Sequence, residues 1–170
     1  MKYNIFTSRF FLLGIAGLSL FFTQLTFAEK NASPADTVLA FNKAMTESNL
    51  EALLDTLAPG GIQYTVKASH MGQTPDSLTT DLKKYWTMIA PVIFSSTESY
   101  TRTAKIIDTR NTETMATVWA DVETVSVRRA GGGQKNNFEE ITILIHTDSG
   151  WKIAGIMDTK KLSTLTTSSQ

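Results

Sequence analysis

The second half of the sequence limits the choice of fold most, because four strand-like segments follow one another there with only turn signals between them. The predicted strands cover residues 97–108, 114–127, 137–147 and 151–158. Their connections contain the Thr, Asn, Asp, Ser and Gly residues that favour turns, and they leave no room for a crossover helix. Strands joined in this way run antiparallel to their neighbours, so we expect an antiparallel meander.

The first half of the sequence predicts three helices and one short strand. The expected elements are a helix at 33–45, a helix at 48–57, a strand at 62–66 and a helix from 74–76 to near Pro91. Ser33 is the expected N-cap of the first helix, and Ser48 and Glu51 form the expected capping box of the second. These elements and the meander make one α+β domain over residues 29–161, followed by a flexible tail at 162–170.

The first 28 residues have the pattern of a cleavable signal peptide. Lys2 and Arg9 precede an apolar run at residues 10–22, and a small-residue cleavage site follows at 26–28. The apolar run is shorter than the roughly 20 residues that a membrane-spanning helix needs. We therefore expect an exported protein, periplasmic or secreted, that begins at Glu29 and has no membrane attachment after cleavage.

Charge and composition exclude several classes of function. Removal of the two basic residues of the signal peptide leaves 14 of the 16 Lys and Arg residues beside 16 Asp and Glu residues. A nearly neutral domain lacks the basic surface of a nucleic-acid-binding protein, so no nucleic-acid partner is expected. Without any cysteine, core burial must hold the fold together. The two histidines, His70 and His146, are far apart in sequence, so no metal site and no cofactor are expected.

The order of the predicted elements is characteristic. It consists of helices at 33–45 and 50–57, a turn and helix at 72–86, and a meander that ends in Gly-Trp-Lys-Ile at 150–153. This order resembles the SnoaL-like and nuclear transport factor 2-like superfamily. The resemblance implies a cone-shaped barrel in which three N-terminal helices pack on a curved antiparallel sheet around a mostly apolar pocket. It also implies a homodimer through the outer face of the sheet. Because this superfamily includes isomerases, cyclases, dehydratases, transport adaptors and binding proteins, the fold does not imply a function.

The resemblance carries no catalytic residue over to this chain. Ketosteroid isomerases of this fold have a catalytic aspartate just after the first strand, where this sequence has Lys-Ala-Ser-His-Met at 67–71. His70 in that segment is a candidate base at the mouth of a pocket. The competing interpretation is an ordinary solvated loop histidine.

Two arrangements of the strand at 114–127 are open. One alternate set of its residues is small and apolar: Ala116, Val118, Ala120 and Val122; the other is Thr117, Trp119, Asp121 and Glu123. If the small set faces the helices, Trp119 belongs to the outer face and to the dimer contact. If the other set faces inward, Asp121 is a candidate general acid or base in an apolar cavity. The first arrangement is favoured, because a buried carboxylate without a partner is costly.

The turn at 147–150 predicts the pairing of the last two strands. A type I turn with a glycine bulge pairs Thr147 with Trp151, Ile145 with Ile153, Ile143 with Gly155 and Ile141 with Met157. The apolar face of this hairpin is expected to meet the helices. The predicted ligand pocket is therefore Tyr64, Trp86, Ile141, Ile143, Ile145, Trp151, Ile153 and Met157. The opposite face is expected to carry Glu140, Thr142, His146, Lys152 and Asp158, together with a dimer contact formed by Leu144, Ala154 and Ile156.

These patterns predict an exported module that binds a small apolar molecule without catalysis, because the sequence has no recognisable catalytic set. One alternative is a lyase, isomerase or cyclase that uses Asp121 or His70 as its proton-transfer group. The other is an accessory homodimer whose cavity is filled by its own side chains.

Overall fold

The computed structural model describes residues 32–67 and 77–160. The predicted signal peptide with its cleavage site, the candidate base His70 and the predicted tail at 162–170 lie outside the described residues. The elements in chain order are α1 Pro34–Thr46, α2 Leu50–Asp55, β1 Leu57–Lys67, β2 Ser77–Thr79, α3 Leu82–Ser96, β3 Thr97–Asn111, β4 Met115–Arg128, β5 Gly133–Thr147 and β6 Gly150–Lys160. Within the described part of the chain, no helix is both long enough and apolar enough to cross a membrane.

Side-chain caps fix where the first two helices begin. The predicted cap of α1 is confirmed: Ser33 Oγ accepts from the Asp36 backbone N–H at 3.1 Å, and Asp36 Oδ2 accepts from the Ser33 N–H at 2.9 Å. These hydrogen bonds hold the pKa of Asp36 below its ordinary value. The predicted cap of α2 is wrong by one residue. Ser48 adopts a φ of 54° as the chain leaves α1, and Asn49 caps α2 through Ala52 N–H.

The third helix starts later and ends later than predicted. Residues 77–79 form the short strand β2, paired antiparallel with β1, so α3 begins only after its cap Asp81. Pro91 does not end the helix, although it cannot donate the backbone hydrogen bond of its position. The following turn continues because Ile93 and Phe94 pack against the core.

The sheet is mixed and open, whereas the prediction was an antiparallel barrel. The strand order is β2-β1-β6-β5-β4-β3, and the predicted meander is confirmed from β3 to β6. β1 runs parallel to β6, because α2 delivers the chain to the end of the sheet where β6 begins. The backbone N–H of Ile153 bonds the carbonyl oxygen of Thr56 at that point, at 2.8 Å.

The predicted register of the last hairpin is partly right, but its inward face is wrong. Ile141 pairs with Met157, and the next pair along is Ile143 and Gly155, as predicted. A bulge at Ala154 then shifts the remaining pairs by one residue. The outward-facing side chains of this hairpin include Ile145 and Met157, 37% and 36% exposed.

The inward face therefore carries the set predicted to face outward. Leu144 and Ile156 are 0% and 1% exposed and contact the helices, so they cannot form the predicted dimer contact. Of the predicted pocket residues, Ile141, Ile143, Ile145, Met157 and Tyr64 belong to the outer face by their register. Trp86, Trp151 and Ile153 remain on the side of the core.

The favoured arrangement of β4 is confirmed and explains that reversal. The small residues Ala116, Val118, Ala120 and Val122 are each at most 2% exposed, and Trp119 is 41% exposed. Trp119 pairs directly with Ile141 across β4 and β5. Because directly paired residues share a face, the outward position of Trp119 turns Ile141 outward as well.

Candidate functional site

The inner face of the sheet carries one row of paired residues that crosses five strands. The row consists of Ile106, Ala120, Glu140, Asp158 and Thr65, taken from β3, β4, β5, β6 and β1 in turn. Glu140 is 2% exposed and Asp158 is 3% exposed. Two carboxyl groups therefore stand side by side inside the domain, in a row that otherwise holds two apolar residues and a threonine.

Asp158 is held by hydrogen bonds from neutral groups. Its Oδ2 atom accepts from Gln63 Nε2 at 3.3 Å and from Thr65 Oγ1 at 3.2 Å, both on the neighbouring strand β1. Its Oδ1 atom has no hydrogen-bond partner within the part of the chain that the structure describes. Among the side chains described there, no basic group forms an ion pair with Asp158. This carboxyl group is therefore buried without a compensating positive charge from the described side chains.

Glu140, in contrast, is compensated by Arg102. The guanidinium of Arg102 forms a buried ion pair with Glu140. Its Cζ atom lies over the rings of Phe41 and Phe138, 5.6 and 5.3 Å from their centroids. Burial alone lowers the pKa of Arg102, but the charge of Glu140 and hydrogen bonds to Glu140 and Tyr100 outweigh it, so the net shift is upward. For Tyr100, in contrast, burial raises the pKa. Arg102 therefore stays charged and neutralises only one of the two buried carboxyl groups.

The aromatic residues Tyr85 and Trp86 of α3 lie on the helical side of this site. Burial raises the pKa of Tyr85, and the negative charge of Asp158 raises it further, so its hydroxyl remains a hydrogen-bond donor at neutral pH. The rings of Tyr85 and Trp86 meet edge to face at 5.6 Å, and Trp86 meets Phe41 in the same way at 5.3 Å. Trp86 Nε1 has no partner among the described residues. The site thus combines one free carboxylate oxygen with aromatic surface and a phenol.

Two of the polar residues weighed in the sequence, Asp121 and His146, are not part of this site. Asp121 is exposed on the outer face, where Lys105 and Glu139 are its cross-strand neighbours at an open groove. His146 is exposed at the end of the sheet, with its ring 4.8 Å from that of Trp151. Among the described residues, no three potential metal ligands converge.

Sequence analysis did not predict the buried carboxyl group of Asp158, although one signal pointed to it. The predicted hairpin already placed Glu140 opposite Asp158 and Thr142 opposite Ile156, and both of these pairs occur. A face that alternates acids with Leu and Ile suits neither solvent nor a plain apolar core. That mixture was the available sign of a polar site inside the domain.

Comparison with known proteins identifies the fold. No protein-family model and no curated protein matches the sequence. Among solved structures, a proposed aromatic ring hydroxylase from Novosphingobium aromaticivorans is similar with a TM-score of 0.63 and 17% identity, over 77% of this chain and 90% of that one. A type 3 hexachlorocyclohexane dehydrochlorinase from Novosphingobium barchaimii has a TM-score of 0.62 and 7% identity, over 80% and 89%. A proposed dehydratase of the nuclear transport factor 2-like family from Streptomyces avermitilis has a TM-score of 0.54 and 16% identity, over 74% and 92%. The chain therefore has the nuclear transport factor 2-like fold, as the resemblance in its sequence predicted.

Proposed function

We propose that this chain is an exported binding protein that holds a small organic molecule inside the domain, against Asp158 and the aromatic residues Tyr85 and Trp86. Export rests on the signal-peptide pattern at residues 1–28. The observation that carries the binding site is the free Oδ1 atom of Asp158, because a buried acceptor without a partner costs about 1–3 kcal/mol. A binding partner that donates a hydrogen bond to this atom offsets that cost.

The ligand has an apolar part as well as a donor. Phe41 and Trp86 are 1% and 6% exposed and belong to the core cluster beside the site, and Tyr85 is half-buried next to them. Aromatic side chains of this kind supply most of the contact area in small-molecule sites, and a few placed polar groups fix the orientation. We therefore propose a small apolar ligand with a polar group that is anchored at Asp158.

We expect Asp158→Asn to abolish binding in a screen of small aromatic fragments monitored by thermal unfolding. A ligand present at about 100 times its Kd stabilises a protein by about 2.7 kcal/mol, which is easily measured. Asn is nearly isosteric with Asp, and its amide can donate to the unpartnered Gln63 Oε1, so the variant should fold. The matched control is Asp121→Asn on the outer face, which should retain every hit. Equal loss in both variants, or loss in neither, would contradict the proposed site.

General-base catalysis by the same carboxylate is the second candidate function. It is favoured by the presence of a phenol, Tyr85, whose pKa is raised by burial and, because Asp158 is close enough, also by the negative charge of Asp158. A phenol hydroxyl can stabilise negative charge that forms on a substrate. Two of the similar structures are named a dehydrochlorinase and a proposed dehydratase, and loss of HCl or of water includes the removal of a proton, which a general base can accept.

An exchange experiment with the fragments found in that screen distinguishes binding from catalysis. Hits that carry a C–H bond next to a carbonyl are incubated with the protein in D₂O and followed by NMR. If Asp158 removes the proton and exchanges it with solvent before returning it, the carbon acquires deuterium with wild type and not with Asp158→Asn. If the fragments bind but acquire no deuterium, catalysis is excluded for them and the binding function remains.

We also propose a homodimer through the outer face of the sheet. The apolar patch there consists of Ile62, Met115, Trp119, Ile141, Ile143, Ile145 and Met157, which are neighbours in the strand register. Five of these side chains are at least 36% exposed, and an apolar patch of this kind usually marks an interface. A two-fold axis would pair the patch with itself.

Trp119→Glu should convert this dimer into a monomer in light-scattering measurements. A buried aromatic anchor contributes about 2 kcal/mol or more, and the substitution acts twice in a symmetric dimer. Thr101→Glu, on the exposed edge strand β3, is the control and should remain dimeric. The proposal fails if wild type is monomeric or if the Trp119 variant, with an unchanged circular dichroism spectrum, stays dimeric.

A further inference from the structure

Among the residues that the structure describes, the charges inside the domain do not cancel. Two carboxyl groups, those of Glu140 and Asp158, are adjacent partners on β5 and β6, and both are buried. One guanidinium, that of Arg102, pairs with Glu140. Directly opposed like charges destabilise a sheet, and removing a carboxylate from water adds to the cost. The inner site therefore has an electrostatic requirement for one more positive charge next to Asp158.

The hydrogen-bonding groups at Asp158 impose a second requirement. Gln63 Nε2 donates to the carboxylate, and this orientation is favoured because the amide oxygen would be repelled by it. Gln63 Oε1 and Asp158 Oδ1 are then both acceptors without a partner among the described residues. A ligand group at this place must donate hydrogen bonds. A carboxylate, phosphate or ether oxygen has nothing to offer these two atoms.

The third observation concerns the kind of cation. A metal ion such as Ca²⁺ takes six to eight oxygen ligands, roughly, and prefers several carboxylates. Here the described residues bring no three metal-ligating side chains together. The aromatic side chains of Tyr85 and Trp86 at the site favour an organic cation, because ammonium groups are attracted to aromatic rings.

We propose that the ligand class of the inner site is a protonated organic amine, with its ammonium group donating to Asp158 and Gln63 and its apolar part against Tyr85 and Trp86. This inference rests on the proposed binding function and adds the charge of the ligand to it. The ammonium supplies both the missing positive charge and at least two N–H donors. A neutral or anionic molecule of the same shape meets only the apolar requirement.

The test compares three probes of matched size by isothermal titration calorimetry with the full-length exported protein: benzylammonium, benzyl alcohol and benzoate. Wild type should bind benzylammonium at least roughly 10-fold more tightly than benzyl alcohol, because hydrogen bonds to charged groups are the stronger ones, and benzoate should bind most weakly. Asp158→Asn should remove the preference for the amine. Asp121→Asn should keep it, since that carboxylate lies on the outer face.

The outcomes separate this inference from the proposed function. If benzyl alcohol or benzoate binds wild type as tightly as the amine, or if Asp158→Asn keeps the preference, the cationic ligand class is wrong. Fragment hits that require Asp158 but are neutral or anionic would leave the binding function standing. If none of the three probes binds, the amine class is overturned. The binding function is overturned only if the wider fragment screen also yields no hit that depends on Asp158.

Discussion

Arg102→Met is expected to lower the free energy of unfolding by about 3–5 kcal/mol, the cost of leaving one member of a buried ion pair without its partner. Arg102 is 6% exposed and Glu140 is 2% exposed, so water cannot replace the lost guanidinium. The loss of stability is increased further because the unpaired carboxylate of Glu140 is then next to the carboxyl group of Asp158 on the neighbouring strand. Met keeps an unbranched apolar side chain at this position but removes the guanidinium that lies over the rings of Phe41 and Phe138. Urea unfolding followed by circular dichroism measures the effect.

Two further variants show whether the loss comes from an isolated charge. Glu140→Leu together with Arg102→Met should recover most of the lost stability, because replacing a whole buried pair by apolar residues is often neutral or stabilising. Lys135→Met breaks the exposed pair of Lys135 and Glu123, 2.7 Å apart, and should cost less than about 1 kcal/mol. A double variant no more stable than Arg102→Met would show that the ion pair itself holds the domain together.

Gly61→Ala is expected to be the most damaging small substitution in β1. Gly61 has a φ of 80°, and a Cβ atom there would lie 2.6 Å from the carbonyl oxygen of Ala154 and 3.3 Å from Leu82 Cβ. The oxygen belongs to backbone in β6, so it cannot move away without disturbing the parallel pairing of β1 and β6. The left-handed conformation costs about 1–2 kcal/mol for alanine, and the overlap adds about 1–3 kcal/mol.

Gly60→Ala is the matched control for that substitution. Gly60 has a similar φ of 73°, but a Cβ atom there would meet nothing within 4 Å. Both variants lose the same conformational freedom in the unfolded chain, so the difference between them measures the overlap with Ala154. Thermal unfolding should rank wild type above Gly60→Ala and Gly60→Ala well above Gly61→Ala. Equal stabilities for the two variants would show that β1 and β6 do not approach so closely.

Sequence analysis was most successful where the determining interactions are local. The Ser33 capping box joins residues three positions apart. The pairing of Ile141 with Met157 matches the prediction only because the bulge at Ala154 offsets the turn, in which Thr147 pairs with Gly150 and not with Trp151. The bulge at Ala154 was missed, because its position depends on where Ile153 meets the core.

The error about the inward face came from a contact that is distant in sequence. The strands were predicted to end at 127 and to resume at 137, so no turn geometry revealed that Trp119 pairs with Ile141. In the structure only residues 129–132 connect β4 and β5. Without that pair, the small set of β4 and the isoleucines of β5 were both expected to face inward, and the register of the two strands makes this impossible.

The sequence by itself determined the α+β class, the order of the three helices and of every strand except β2, and the antiparallel meander from β3 to β6. Helix caps, turn residues and hydrophobic periodicity involve residues only a few positions apart, so each can be recognised in the sequence itself. Only the tertiary structure decided which side of the meander meets the helices, and that decision buries Glu140 and Asp158 while exposing the isoleucines. The physical reason is that the face of a strand is chosen by the packing of all its neighbours together. Arg102, 38 positions before Glu140, makes the burial of one carboxyl group tolerable, and Asp158 is left as the charged group of the candidate site.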